Sequence, residues 1–271
     1  MRKPRSTMTH TLLAIGAAGM LAPYVWQFLT SLKTLAGATR VPPTVVPDGR
    51  WDNYGQIFRL LPFQAQFLNT LVMTAARSLG QVLLCSMAAY AFARLRFPGR
   101  TFLFGLFLSV LMVPPQLFII PQYEIIAKLG WLNSLPALIV PGLFSAFGVF
   151  LLRQFFLGLP AELDEAARLD GANPLRIWWS VMMPLARPGL MALGILTTIW
   201  SWNDFFWPLV VNNDPKKMTL SAGLASLQGQ FMTDYPVLMA GSLLASLPVI
   251  AVFVAMQRQF VQGIAFTGSK G

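Results

Sequence analysis

The chain has 271 residues, of which 55% are hydrophobic and 11% are charged, and its mean hydropathy is +0.59. Soluble proteins carry about 25% charged residues, so this composition is that of a membrane protein. The 20 Lys and Arg residues outnumber the 10 Asp and Glu residues, but they are scattered between apolar runs. That distribution argues against a nucleic-acid-binding surface.

Single residue types exclude several kinds of site. Cys85 is the only cysteine and lies in an apolar run, so no internal disulfide or thiolate metal site is expected. His10 is the only histidine, which leaves nothing for a histidine zinc site or a catalytic triad. The pattern G-x-x-x-x-G-K-[ST] does not occur, so we expect no P-loop. We therefore predict no catalytic residues, no metal and no cofactor in this chain.

Six apolar windows are long enough to cross a bilayer, which takes about 17 to 25 residues. They are residues 9–30, 67–92, 101–123, 135–157, 188–211 and 238–257. We interpret the first as an uncleaved helix, because its apolar run is longer than a typical signal-peptide core. Prolines interrupt several windows, and such breaks need protein or a water-lined cavity to satisfy the freed carbonyl groups. The sequence predicts an all-α integral membrane protein with one transmembrane domain over residues 1–271.

The orientation follows from the Lys and Arg residues of alternate loops. The loops on the side of both termini and of residues 158–187 carry more of them than the opposite loops. Since cytoplasmic loops are enriched in Lys and Arg, we predict that both termini and the 158–187 segment are cytoplasmic.

The segment 158–187 is polar and has the sequence features of two short helices. Acidic residues stand early in the first helix, where the helix dipole favours negative charge, and Asp164 and Arg168 have i,i+4 spacing. Gly171 is placed to end this helix, and Asn173 followed by Pro174 is a cap for a second one. From these residues alone, a docking element for a partner protein and an amphipathic helix lying on the membrane both remain open.

The motif in this segment resembles the EAA loop of ABC importer permeases. It reads Glu165-Ala166-Ala167, then Gly171, then Ile177 to Met183-Pro184. Other stretches are similar to the carbohydrate-uptake branch and to the six-span maltose permease subunit: "AAYAFARLRFPG" (88–99), "WSWNDFFWPLV" (200–210) and "QRQFVQGIAFTGSKG" (257–271). The resemblance covers nearly the whole chain and is strongest from residue 67 onward.

The resemblance implies an importer-type permease fold whose cytoplasmic coupling helices dock into ATPase subunits. The expected ATPase-coupling residues are those of the first helix and its end, Glu165, Ala166, Ala167, Arg168, Asp170 and Gly171. It also implies two copies of a nucleotide-binding ATPase, a second homologous permease and an extracytoplasmic sugar-binding protein. The C-terminal tail with Gly263, Gly268 and Lys270 is similar to a tail that reaches the ATPases.

Two ionisable residues lie inside predicted spans, where charges are costly and mark either function or a pair. Arg77 is about 15 Å from the outer end of the second span, and Asp204 about 10 Å from the outer end of the fifth. This similar depth permits pairing. An ion pair that ties two spans together and a position on the translocation path remain open alternatives.

Further substrate-pathway candidates combine aromatic faces with hydrogen-bonding groups. Trp202 and Asn203 flank Asp204 in the fifth span, although aromatic residues near the end of a span also form interface belts. Gln116 stands beside Pro114 and Pro115 in the third span, where it is either a pathway residue or a packing contact.

These observations predict the permease subunit of an ATP-driven ABC importer for a carbohydrate in a prokaryotic plasma membrane. The chain would form half of the translocation pathway and would leave ATP hydrolysis to separate subunits. An importer for a glycerol-phosphate-type or amino-sugar solute is one alternative. A secondary carrier that works without ATPases is the other.

Overall fold

A computed structural model describes residues 5–229 and 233–268 of the chain. Within these ranges all regular elements are helices, apart from one isolated bridge between Gln228 and Thr233. In chain order the α-helices are α1 (Arg5–Ser31), α2 (Leu35–Ala38), α3 (Asp52–Leu60), α4 (Phe63–Arg94), α5 (Arg100–Ser109), α6 (Ile119–Lys128), α7 (Leu135–Ile139), α8 (Ala146–Leu157), α9 (Glu162–Leu169), α10 (Pro174–Ile177), α11 (Met183–Leu185), α12 (Arg187–Trp202), α13 (Phe206–Val211), α14 (Leu220–Ala225) and α15 (Tyr235–Gly268). The predicted all-α class is confirmed.

Three helical stretches of the described chain are long and apolar enough to span a membrane: Met8–Ser31, Phe63–Arg94 and Tyr235–Ala255. Three bent pairs also qualify, which gives up to six spans. The bends are 97° between Arg100–Met112 and Pro115–Lys128, 41° between Leu135–Gly142 and Ala146–Leu157, and 82° between Pro174–Leu185 and Arg187–Trp202.

The break in the third span follows from its two prolines. Val113 has extended backbone (φ −93°, ψ 125°), as expected for a residue that precedes proline. Neither Pro114 nor Pro115 has an N–H to continue the helix. Residues 101–123 are therefore not one straight helix, and the chain changes direction within the apolar window.

The fifth predicted span, 188–211, is also interrupted. α12 ends at Trp202, α13 begins at Phe206, and Asp204 lies in the break between them. Pro208 cannot donate a hydrogen bond to the carbonyl group of Asp204 four residues earlier, and this prevents a continuous helix here.

The described chain divides into two compact units. The first contains residues of 1–64 and 223–247, and the second contains residues of 65–222 and 248–271. In the first unit, the buried Asn53 donates to the carbonyl oxygens of Ser31 (2.8 Å) and Lys33 (2.9 Å), which fixes the turn after α1. Hydrogen bonds from the backbone and hydroxyl of Thr34 hold the pKa of Asp48 below its ordinary value.

In the second unit, α4 packs closely against α8 and α12. A Cβ on Gly148 would lie 3.0 Å from Sγ of Cys85 and 3.2 Å from Cδ2 of Leu193, so glycine is what lets these helices approach. The buried core of this region contains Cys85, Val149, Leu152 and Leu193. α4 therefore provides the frame on which both candidate sites are built.

The C-terminal tail lies partly outside the described residues. α15 ends at Gly268, and Lys270 is beyond the described range. The predicted tail contacts with an ATPase stay a prediction.

Candidate functional site

The segment 158–187 forms the two helices that its sequence predicts. α9 ends with Asp170 as C-cap and Gly171 in the left-handed region (φ +77°), and the side chain of Asn173 caps α10 by accepting from Arg176 N at 2.8 Å. α9 begins at Glu162, so Pro160 precedes the helix and is not in its first turn. A π-helical stretch, Trp178–Met182, lies just before Pro184, where the regular bonding pattern loses a donor.

Most of the predicted coupling residues lie on the surface of this chain. Glu165, Ala166, Arg168, Asp170 and Gly171 are exposed, and Ala167 is half-buried. The structure thus brings all six onto one short helix and its end. A residue that the sequence analysis missed lies beside them: Leu169 is 89% exposed. An exposed leucine next to acidic residues and a tight turn gives this helix an apolar contact surface.

The base of the segment is fixed to the end of α4. The hydroxyl group of Tyr90 donates to Oδ1 of the buried Asp164 at 3.2 Å, and Arg168 holds the other carboxylate oxygen at 2.6 Å. The guanidinium group of Arg94 donates to the carbonyl oxygens of Phe156 (2.7 Å) and Leu159 (2.5 Å). The predicted Asp164–Arg168 pair is present, and through Asp164 it also joins α9 to α4.

The second helix of the segment belongs to the protein core. Ile177, Trp178, Met182 and Ala186 are buried in the same cluster as Ala89, Ala93, Phe156 and Leu193. Trp178 and Met182 were expected as anchors at the membrane interface, and only Trp179 of the tryptophan pair is exposed. A force on the exposed tip would therefore be transmitted directly into the packing of α4, α8 and α12.

A second candidate site lies in the membrane part of the unit, at the ion pair between Arg77 and Asp204. Nη1 of Arg77 is 2.6 Å from Oδ2 of Asp204, and the two side chains are 8% and 23% exposed. Nε of Arg77 donates to the carbonyl oxygen of Leu138 at 2.7 Å. A Cβ on Gly142 would lie 2.4 Å from that Nε, so the guanidinium group is enclosed by the fourth span. The two residues pair, and Arg77 joins three spans.

Gln81, one turn further along α4, is the centre of a polar network that the sequence analysis missed. Its Nε2 donates to the carbonyl oxygen of Gly142 at 2.9 Å, and its Oε1 accepts from the hydroxyl groups of Ser145 (3.0 Å) and Thr197 (3.1 Å). Arg77, Gln81 and Cys85 recur every four residues, which places them on one face of α4. That spacing was the signal that could have identified the network.

The other pathway candidates are distributed over two segments. Trp202 is buried and packs edge-on against Phe67, with ring centroids 5.8 Å apart. Asn203 is exposed and donates to the carbonyl oxygen of Ile199 at 2.8 Å. Gln116 is exposed in the 3-10 turn of the third span. Trp202, Asn203 and Asp204 thus lie together at the end of α12, and Gln116 lies on a different span.

A cavity of about 610 Å³ lies at the breaks of the third and fourth spans. Its walls are mainly apolar, with Ser145 and Gln122 among the polar residues. Because Ser145 also donates to Gln81, the cavity touches the polar network of α4. The residues that line the cavity include Val113, Pro115, Phe118, Pro141, Phe144 and Phe147.

Comparison with known proteins identifies the chain's family. Residues 81–266 match the family "Binding-protein-dependent transport system inner membrane component". The chain belongs to this family. It is 35% identical to the sn-glycerol-3-phosphate transport system permease protein UgpE of Pectobacterium atrosepticum, with 97% of each chain covered, and 34% identical to UgpE of Yersinia enterocolitica over the same shares.

A solved structure shows the same fold. The chain superposes with a TM-score of 0.81 on a chain from a bacterial ABC transporter involved in the import of the acidic polysaccharide alginate. The sequences are 26% identical, and 96% of this chain and 98% of the other are covered. The importer-type permease fold is therefore confirmed. The chain is a membrane component of a transport system and not an enzyme.

Proposed function

We propose that this chain forms half of the translocation pathway of an ATP-driven importer for a carbohydrate, with an anionic sugar derivative favoured. Family membership supports the transport role, and the exposed helix α9 on a base fixed to α4 carries the proposal. The substrate class rests on the relatives, whose names refer to glycerol 3-phosphate and to an acidic polysaccharide. The assembly would include two ATPase copies, a second homologous permease and an extracytoplasmic solute-binding protein.

The proposed ATPase contact is the exposed face of α9 and its end. Ala166 allows a close approach, Leu169 offers apolar area, and Glu165 and Asp170 set the charge that a partner groove must match. Exposed large apolar side chains rimmed by polar groups are typical of protein interaction sites. In this proposal both termini and the 158–187 segment are cytoplasmic.

The proposed substrate path follows the broken spans and not Arg77 itself. The guanidinium group of Arg77 is enclosed and neutralised by Asp204, so it is not available to an anionic solute. Ser145 at the cavity and the exposed Asn203 at the break of the fifth span are better placed to form hydrogen bonds with a sugar. Broken transmembrane helices occur where non-helical backbone lines a cavity.

The proposal is tested with Gly171→Asp in the complex purified from its native membrane. A side chain at this left-handed position strains the turn by about 1–2 kcal/mol and places a charge at the contact. We expect loss of the ATPase subunits and of ATP-driven uptake, with the permease still folded. Gly130→Asp is the matched control, because Gly130 has a similar φ of +69° and also has open space around it. Retained ATPase and uptake in Gly171→Asp would overturn the proposal.

A further inference from the structure

The loop between α13 and α14, residues 212–219, is exposed at its tip and yet bound on all sides by side-chain amides. Oδ1 of Asn133 accepts from the backbone N–H groups of Asn213 (2.8 Å) and Asp214 (2.9 Å). Nε2 of Gln66 donates to the carbonyl oxygen of Pro215 at 3.0 Å. This arrangement fixes the backbone of a segment that could have been satisfied by water.

The remaining carbonyl groups of the loop are bound in the same way. Nδ2 of Asn69 donates to the carbonyl oxygens of Lys216 and Met218, both at 2.9 Å. Nδ2 of Asn212 donates to that of Lys217 at 2.7 Å. All four successive carbonyl groups from residue 215 to residue 218 thus accept hydrogen bonds from side-chain amides, and the backbone of the loop is held in one shape.

The residues that project from this fixed backbone include two adjacent lysines. Lys216 and Lys217 are exposed, and the one acidic residue of the loop, Asp214, uses its Oδ1 to accept from the backbone N–H of Lys216 at 2.9 Å. The tip therefore carries a net positive charge in a defined position.

The loop and the coupling segment are at opposite ends of α4. Gln66 and Asn69 hold the loop near the start of this helix, whereas Tyr90 and Arg94 hold the 158–187 segment near its end. Gln66 and Tyr90 are about 36 Å apart along the helix axis at 1.5 Å per residue, which is enough to cross the bilayer core. If ATPases bind one end, the loop faces the other side of the membrane.

We infer that the loop of residues 212–219 is a preformed docking site for an acidic surface of the extracytoplasmic solute-binding protein. The inference rests on the proposed function. A rigid loop loses little conformational entropy when a partner binds, and its two lysines attract an acidic partner surface. From the loop, the six residues of α13 lead to the break that contains Asp204, so docking is connected to the polar network.

The test is the ATPase activity of the reconstituted importer as a function of the concentration of the solute-binding protein from the same transport system. Lys216→Glu with Lys217→Glu should raise the concentration for half-maximal stimulation at least tenfold, without changing basal ATPase activity. Lys216→Arg with Lys217→Arg keeps the charge and should behave like the natural chain. An unchanged stimulation curve in the glutamate variant would overturn the inference.

Two further arms separate the alternatives. Asn133→Gly removes the acceptor for two loop N–H groups but tolerates the positive φ of 55°, and it should weaken stimulation severalfold while the protein stays folded. The glutamate variant is also measured in nanodiscs of neutral and of anionic lipid. An effect confined to anionic lipid would show that the lysines bind headgroups and would overturn protein docking. Failure of either arm leaves ATP-driven uptake, and thus the proposed function, intact.

Discussion

Arg77 on α4 and Asp204 between α12 and α13 form an ion pair with an N–O distance of 2.6 Å. The pair closes the break of the fifth span onto α4, and the same guanidinium group binds the carbonyl oxygen of Leu138 in the fourth span. Two charges that would each be costly in the membrane are thereby neutralised, and a freed carbonyl group gains a donor. The breaks in the spans are thus parts of one connected arrangement.

Removal of one partner of this pair should destabilise the protein more than removal of both. Arg77→Met leaves the Asp204 carboxylate without its cation, and breaking a buried pair costs about 3–5 kcal/mol, with less expected here because Asp204 is partly exposed. Arg77→Met with Asp204→Leu should recover part of the loss. Thermal unfolding in mild detergent measures this. Equal melting temperatures for all three proteins would contradict a tie between spans.

Gln81→Leu should destabilise the polar network without changing its volume greatly. Three groups lose their partner: the carbonyl oxygen of Gly142 and the hydroxyl groups of Ser145 and Thr197. Each buried unsatisfied group costs about 1–3 kcal/mol. We expect a clearly lower melting temperature. Gln56→Leu on the exposed face of α3 is the control and should have a melting temperature close to that of the natural chain.

Gly142→Ala should disturb the ion pair by contact alone. Its Cβ would lie 2.4 Å from Nε and 2.6 Å from Cδ of Arg77, which forces the enclosed guanidinium group to move. Gly105→Ala, where nothing lies within 4 Å, is the matched control. We predict a cost of about 1–3 kcal/mol at residue 142 and a neutral or slightly stabilising effect at residue 105. Similar melting temperatures for the two variants would show that Arg77 is free to relax.

Leu169→Asp should separate docking from folding. Leu169 is 89% exposed, so its replacement removes almost no packing within the chain but takes an apolar contact from the proposed ATPase interface. The melting temperature of the isolated permease should stay the same, and co-purification of the ATPase should fall. Leu60→Asp, an exposed leucine at the end of α3, controls for the added charge. Normal ATPase recovery with Leu169→Asp would remove this residue from the interface.

Local features of the structure could be predicted from the sequence. Gly171 as the end of α9, Asn173 as the cap of α10 and the Asp164–Arg168 pair all depend on neighbours within four residues, and all are present. The depth of Arg77 and Asp204 in their spans was enough to propose their pairing.

Other features could not be predicted because they depend on residues far apart in the chain. Averaging over an apolar window hides the break at Asn203–Phe205, which Pro208 and the ion pair with Arg77 produce together. Gln81 meets Gly142 and Thr197, which are 61 and 116 residues away. The loop of residues 212–219 was a short polar connection in the sequence, and only the fold shows the amides that hold it.

The most direct test of the central claim is a photocross-link from the exposed face of α9. Cys85 is buried, so a cysteine introduced as Ala166→Cys can be labelled selectively with a benzophenone maleimide. Irradiation of the native complex should join residue 166 to the nucleotide-binding ATPase, with a yield that changes when ATP closes the ATPase pair. A product with lipid alone, or no product with the ATPase in any nucleotide state, would contradict the account of segment 158–187 as a coupling element.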